Sequence, residues 1–143
     1  MDIVWTPELS VGIQEIDRQH QELFDHINGL LSGLHIATPT EKVAEMFDFL
    51  ENYVEEHFSA EERYMDDQLA GYYGDTDARR HRGEHAAFIR DYREYRADLK
   101  VTGVTEQMTA EFRNWMRNWW LMHVSETDRK LGASLRARYP FMK

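Results

Sequence analysis

Apolar residues recur every three or four positions along most of the chain, which is the spacing of helices that each bury one face. A first helix over about 17–37, capped by Asp17, would bury Leu23, Phe24, Ile27, Leu30, Leu31 and Leu34. A second over about 39–69 would bury Val43, Met46, Phe47, Leu50, Tyr53, Val54, Phe58, Tyr64 and Met65. A third over about 77–101 would bury Ala78, Phe88, Ile89, Tyr92 and Leu99. A fourth over about 105–131 would bury Met108, Phe112, Trp115, Met116 and Trp119.

The breaks between these stripes support the same division. The segment Thr38-Pro39-Thr40-Glu41 combines a capping hydroxyl, a proline at the first helical position and a glutamate three residues after the cap. The segment 71–75 interrupts the helical pattern, Gly103 ends the third helix, and Thr105 caps the fourth. Each boundary therefore has a local cause in the sequence.

Four helices joined by short connections predict an all-α fold, an up-down-up-down four-helix bundle. We expect one domain over residues 1–143, with an extended N-terminal arm over 1–16 and a C-terminal tail over 132–143. Trp5 lies in the arm, and we expect its ring to pack across the bundle.

Composition narrows the classes of function. The 143 residues carry a net charge of −9, which repels nucleic-acid backbones and anionic lipid surfaces, so we expect neither nucleic acid nor membrane as a partner. No cysteine is present, so any metal must be bound through nitrogen and oxygen. Residues 1–12 show no basic stretch followed by an apolar run, and no apolar stretch of membrane-spanning length occurs, so we expect a cytoplasmic protein.

Histidines carry the candidate chemistry, because five of the seven fall on the apolar stripes: His20, His57, His81, His85 and His123. A single histidine on an apolar stripe is more often a core residue with a hydrogen-bond partner than a metal ligand. Burying an unpartnered imidazole costs about 1 to 3 kcal/mol, however, so five of them on four helices indicate a shared partner. His26 and His35 lie off the pattern and receive no role.

The spacing within two helices indicates that the shared partner is a metal. His57 and Glu61 lie one helical turn apart, as do His81 and His85, so each pair can bind one centre. Imidazole nitrogens together with carboxylate oxygens suit iron, zinc, manganese or copper. Five histidines also exceed the needs of a single tetrahedral site.

Over nearly its whole length the sequence resembles the hemerythrin family and its bacterial hemerythrin-like members. The first matching pattern comprises Trp5, Val11-Gly12-Ile13, Ile16-Asp17, Gln19-His20, Leu23 and Ile27-Asn28. The later patterns comprise His57-Phe58 with Glu61-Glu62, then His81 and His85, and finally Trp119, His123 and Asp128.

The resemblance implies two non-haem iron ions joined by a bridging oxo or hydroxo group. It places His81, His85 and His123 on one iron and His20 and His57 on the other, with Glu61 and Asp128 bridging both. The iron with two histidines would keep an open position for dioxygen. The implied function is reversible dioxygen binding rather than catalysis, for oxygen storage, delivery or sensing. A sensor would need a separate signalling partner, and the sequence indicates no oligomeric state.

Helix geometry and the resemblance disagree on one ligand. Asp128 lies five residues after His123 and is rotated off its face in an α-helix, whereas Glu126, three residues after it, lies nearer. Only the resemblance selects Asp128. A helix that widens locally would reconcile the two, and Glu126 stays the competing ligand.

Five apolar residues are candidates to line an oxygen pocket: Phe24, Phe58, Trp119, Trp120 and Val124. Ordinary core packing is the more common role of such residues. Trp120 stands where family members often have a smaller residue, so the resemblance implies narrower access and slower ligand entry.

Three other functions are compatible with parts of the pattern. The run His81-Arg82-Gly83-Glu84-His85 matches the H-x-x-E-H zinc-peptidase motif, with Glu84 as general base, but it gives the remaining candidate ligands no role. A ferritin-like oxidase would show E-x-x-H motifs, and no histidine here has glutamate three residues before it. An enzyme that consumes peroxide or nitric oxide at the same irons stays open.

Overall fold

The computed structural model describes residues 3–142, which contain five α-helices and, within that range, no β-strand. The helices are α1 (Gln14–Gly33), α2 (Thr40–Arg63), α3 (Asp75–Thr102), α4 (Glu106–Met122) and α5 (Arg129–Arg138). A π-helical stretch, Tyr64–Gln68, extends α2, and a second, His123–Asp128, joins α4 to α5 without a break. Counted with these stretches, the helices form four rods with short connections: α1, α2 with its extension, α3, and α4 continued into α5. The predicted all-α four-helix bundle is confirmed.

Two groups of buried apolar residues form the core. The larger packs the rods over most of their length and includes Phe47, Phe88, Phe112 and Trp120. The smaller comprises Val11, Ile13, Ile16, Met65, Leu69, Tyr73, Leu131 and Leu135. Along every rod the candidate histidines fall between residues of the two groups, so the polar residues occupy a layer with apolar packing on both sides.

Helix boundaries agree with the sequence where a side chain caps the helix. Thr105 accepts a hydrogen bond from the backbone N–H of Met108 at 3.1 Å, as its capping role requires. The cap predicted at Thr38 is wrong by one residue, because Pro39 occupies the cap position and α2 begins at Thr40. The first hydrogen bond of the helix runs from the Val43 N–H to the Pro39 carbonyl. α3 begins at Asp75, two residues before the predicted start.

Asp17 is not the cap of α1, which begins three residues earlier at Gln14 and ends at Gly33 rather than at 37. The Asp17 carboxylate instead accepts hydrogen bonds from the Ser10 hydroxyl at 2.5 Å and the Val11 N–H at 2.8 Å. These two hydrogen bonds fix the arm to the side of the helix. A short polar side chain serves either purpose equally well, and the sequence pattern cannot separate them.

Of the arm expected over 1–16, residues 3–13 lie before the first α-helix and form a short 3₁₀ turn at Pro7–Leu9, residues 14–16 belong to α1, and residues 1 and 2 lie outside the described residues. The Asn28 side-chain amide pairs with both the N–H and the carbonyl of Ile3, each at 2.8 Å, much as a neighbouring strand would. Ile3 is buried, and Trp5 packs against the larger core group. The expected packing of Trp5 across the bundle is thus observed.

The expected C-terminal tail over 132–143 is wrong for residues 132–138, because α5 continues as helix to Arg138, and Lys143 lies outside the described residues. Gly132 does not end the helix but lets it approach the arm. A β-carbon at this position would lie 2.1 Å from the carbonyl oxygen of Val11, which is inside van der Waals contact. Leu131 and Leu135 then bury against the arm and the start of α1.

No helix within residues 3–142 combines the length and the apolar character that crossing a lipid bilayer requires.

We expect Gly132→Ala to destabilise the protein by about 1 to 3 kcal/mol, because the new methyl group must displace the Val11 backbone. Gly29→Ala is the matched control: this exposed position within α1 has no atom within 4 Å of an added β-carbon, and alanine should stabilise the helix by about 0.5 to 1 kcal/mol. Urea unfolding of the metal-free proteins, followed by circular dichroism, measures both. Equal stabilities of the two variants would contradict this account of the α5 contact.

Candidate metal centre

Five imidazoles and two carboxylates converge in the layer between the two core groups, and every one of them is buried. α1 supplies one of these side chains, α2 supplies two and α3 supplies two. The π-helical stretch His123–Asp128 supplies one at each end. They are His20, His57, Glu61, His81, His85, His123 and Asp128. The structure thus brings together all seven residues that the sequence analysis selected as ligands, while their role as ligands stays a prediction.

Three histidines form one half of the cluster. His81 Nε2 lies 3.3 Å from Glu61 Oε1 and 3.1 Å from Asp128 Oδ1. His85 Nε2 lies 3.0 Å from Glu61 Oε1, and His123 Nε2 lies 3.1 Å from Asp128 Oδ1. One oxygen of each carboxylate therefore faces this half.

Two histidines form the other half. His20 Nε2 lies 3.0 Å from Asp128 Oδ2 and 3.4 Å from Glu61 Oε2. His57 Nε2 lies 3.2 Å from Glu61 Oε2. The second oxygen of each carboxylate therefore faces this half, so both carboxylates span two adjacent sets of donor atoms.

The widened helix explains why Asp128 belongs to the cluster. Five residues amount to about 1.4 turns of an α-helix, so Asp128 would point away from His123 in such a helix. The His123–Asp128 stretch is a π-helix, in which hydrogen bonds skip one more residue and the two side chains come onto one face. Glu126, the competing ligand, is exposed and lies outside the cluster.

The outer nitrogens of three histidines are held by polar neighbours. His57 Nδ1 lies 2.9 Å from Gln19 Oε1, and His85 Nδ1 lies 3.0 Å from Glu62 Oε2. His123 Nδ1 lies 2.8 Å from Glu84 Oε1. An acceptor at Nδ1 keeps the proton there and leaves Nε2 free to bind a metal ion.

Sequence reasoning gave these three acceptors no such role. Gln19 and Glu62 were noted only as parts of family patterns, and Glu84 was considered only as the base of a peptidase. Each is adjacent in sequence to a residue of the cluster: Gln19 to His20, Glu62 to Glu61, and Glu84 to His85. A polar residue beside a candidate ligand, at the edge of the buried face, was the available signal.

Charge within the cluster is balanced internally. Burial lowers the pKa of His20 and His81, but the nearby carboxylates of Asp128 and Glu61 outweigh it and raise both pKa values to about 9. Burial raises the pKa of Glu61, yet the surrounding histidines, His57 and His123 among them, hold it well below its usual value. Without a metal, protons on the imidazoles thus supply the positive charge that the carboxylates need, and metal cations can replace those protons.

The arrangement of the atoms fits metal ions better than it fits hydrogen bonds alone. His57 Nε2 and both Asp128 oxygens approach their neighbours to 3.0–3.2 Å, yet none of these atoms makes a hydrogen bond of acceptable geometry with any residue of 3–142. Two ligands at right angles, each about 2.1 Å from an ion, would lie about 3.0 Å apart. The donor set of imidazole and carboxylate suits iron among other metals.

Aromatic rings cover the cluster on the side of the larger core group. The Phe58 ring stacks on His85 with 3.8 Å between ring centres, and the Trp119 ring stacks on His123 at 4.4 Å. Trp120 is fully buried, with its ring 6.4 Å from that of His57 and 6.2 Å from that of His123. Phe24 and Val124 are buried in the larger core group. The oxygen pocket expected from these two residues together with Phe58, Trp119 and Trp120 stays a prediction.

The remaining histidines lie outside the cluster, as expected. His26 packs between the rings of Phe49 and Tyr53. His35 is exposed after the end of α1, and its Nδ1 accepts a hydrogen bond from the Ala37 N–H.

A family model for the hemerythrin HHE cation-binding domain matches residues 11–135 of the chain. The chain belongs to the hemerythrin family. Among similar proteins is a bacteriohemerythrin of Pseudomonas paraeruginosa, which is 32% identical over 126 residues, covering 88% of this chain and 76% of the relative. Bacteriohemerythrins of Stenotrophomonas maltophilia and Clostridium acetobutylicum are each 28% identical, covering 94% and 89% of this chain and 82% and 96% of the relatives. The buried histidine and carboxylate cluster is thus a candidate metal site of a hemerythrin domain, and it suggests non-haem iron.

We expect Asp128→Asn to lower the bound metal per chain strongly, because the amide removes a buried negative charge shared by both halves. Glu126→Gln is the matched control two residues away and should leave the metal content unchanged, since Glu126 is exposed. Elemental analysis after iron loading and desalting measures both. Loss of metal in the Glu126 variant alone would make Glu126 the ligand.

Proposed function

We propose that this hemerythrin-family chain binds dioxygen reversibly at a non-haem di-iron centre. His81, His85 and His123 would hold one iron, His20 and His57 the other, and Glu61 and Asp128 would bridge the two. The observation that carries the proposal is that each carboxylate turns one oxygen toward the three-histidine half and its other oxygen toward the two-histidine half. A pair of ions sharing two carboxylates requires this arrangement, whereas a single ion does not.

The unequal halves support a binding role for the second iron. With two imidazoles against three, the ion at His20 and His57 would have fewer protein ligands and room for an added small molecule. Two ferrous ions with an open position would supply the electrons that reversible dioxygen binding needs. The physiological use we expect is storage, delivery or sensing of oxygen, with sensing requiring a separate signalling partner.

This chain's own residues would keep the site dry and fixed in shape. Phe58, Trp119 and Trp120 surround the histidines with apolar rings, which limits water and stray protons at a bound ligand. Gln19, Glu62 and Glu84 orient three imidazoles through their Nδ1 atoms. A rigid, water-poor site favours release of the ligand unchanged over its further reaction.

The zinc-peptidase alternative loses support from the contacts of Glu84. Its carboxylate accepts from His123 Nδ1 and from the Thr127 hydroxyl, so it is engaged outside the cluster rather than facing a reaction site. A general base must reach a metal-bound water, and the position of Glu84 argues against that role.

The decisive measurement is the visible spectrum of protein loaded with ferrous iron, recorded without air, after oxygenation, and again after purging. We expect two irons per chain and a charge-transfer band that appears with dioxygen and disappears on purging. Steady consumption of peroxide or nitric oxide under reductant, with no reversible band, would instead support the enzyme alternative. Tight zinc binding with no iron uptake would contradict the proposal.

We expect Trp120→Leu to speed ligand entry, because Trp120 fills the space beside both His57 and His123. Stopped-flow binding of azide to the oxidised iron form and of dioxygen to the reduced form measures the rates. Trp115→Leu is the matched control: the Trp115 ring stacks on Phe88 at 4.9 Å, farther along the core, and its loss should leave the rates unchanged. Unchanged rates in Trp120→Leu would rule out a gating role.

A further inference from the structure

The two halves of the cluster differ in the groups that hold their outer nitrogens. In the three-histidine half, the Nδ1 atoms of His85 and His123 contact carboxylates, at 3.0 Å from Glu62 and 2.8 Å from Glu84. In the two-histidine half, His57 Nδ1 contacts only the neutral amide of Gln19, at 2.9 Å. Two anionic acceptors therefore support one half and none supports the other.

The remaining two histidines do not cancel this difference. His20 Nδ1, in the two-histidine half, and His81 Nδ1, in the three-histidine half, each lack a hydrogen-bond partner anywhere in the described chain. Each half thus contains one unsupported imidazole. The asymmetry comes entirely from Glu62 and Glu84 against Gln19.

Both carboxylates are held in place by arginines on their other oxygen. Arg82 Nη1 lies 3.0 Å from Glu62 Oε1, and Arg80 Nε lies 3.2 Å from Glu84 Oε2. The arginines leave the oxygen that faces the imidazole free to accept its proton. The arginines also neutralise part of the negative charge of each carboxylate. Their main effect is therefore not to add charge at the imidazole but to fix the direction of each carboxylate.

Glu84 has a second contact that bears on the metal site. The oxygen that accepts from His123 Nδ1 also accepts from the Thr127 hydroxyl at 2.7 Å. His123 begins the π-helical stretch, and Thr127 immediately precedes Asp128. One carboxylate of α3 thus holds both ends of the stretch that carries two candidate ligands.

An imidazole whose N–H donates to a carboxylate is a stronger metal ligand than one that donates to an amide, because the negative charge raises the basicity of the opposite nitrogen. We propose that Glu62 and Glu84 are positioning residues that make the three-histidine half the tighter metal position, which fills first, and that Gln19 keeps the two-histidine half weaker. The proposal rests on the proposed function only in assuming two metal positions.

Cobalt(II) tests the order of filling, because its visible absorption reports coordination and it needs no dioxygen chemistry. Metal-free protein titrated with cobalt(II) under nitrogen should show two successive binding steps with different spectra and different affinities. His57→Ala assigns the steps: it removes a ligand from the two-histidine half and should abolish the second step while keeping the first.

The acceptor variants test the cause. Glu84→Gln should weaken the first step about 10- to 100-fold and leave the second within a few fold. Gln19→Glu should strengthen the second step, a gain that damage to the fold cannot produce. Glu94→Gln, at an exposed position on the same helix as Glu84, is the matched control and should change neither step.

The outcomes separate this inference from the proposed function. Binding of fewer than two cobalt ions by the unaltered chain would contradict the di-metal site itself. Two ions of equal affinity, loss of the first step in His57→Ala, or equal weakening of both steps in Glu84→Gln would overturn the inference while leaving the two-metal site intact. The same holds if Gln19→Glu fails to strengthen the second step.

Discussion

The interior position of two carboxylates, Glu61 and Asp128, is the constraint that governs this fold. Both are fully buried in an apolar bundle, where an uncompensated negative charge would cost several kcal/mol. Five imidazoles surround them, and each of the four rods contributes at least one. Sliding or rotating any rod would leave a charge unpaired, so the polar layer fixes how the rods align.

The apolar packing on either side serves the same layer. Residues of the larger core group lie to one side of the histidines and those of the smaller group to the other, so water is kept from both faces. The smaller group depends on the arm and α5, which close the bundle where Gly132 meets Val11. Contacts far from the candidate metal centre therefore help to keep it dry.

The periodicity of apolar residues was enough to predict the four rods, because each buries a single face and the loops carry clear breaks. The candidate ligands could be found for the same reason, since histidine is unusual on such a face. The role of Asp17 could not be predicted, because a carboxylate near the start of a helix can either cap the helix or bind the arm. Only the tertiary contact shows which of the two it does. Asp128 required knowledge of the family, since regular helix geometry pointed to Glu126 instead.

The π-helical stretch affects more than the residue it reorients. Over His123–Asp128 the backbone accommodates one residue beyond what an α-helix would hold, so everything downstream is turned by about 100° relative to an unbroken helix. This change of phase keeps Leu131 and Leu135 on the face of the helix that carries Phe112 and Trp120, although they pack in the smaller core group and not in the larger one. Viewed in this way, the stretch behaves as a single-residue insertion that the fold has absorbed, and it lets one rod continue a single buried face from the larger core group to the smaller.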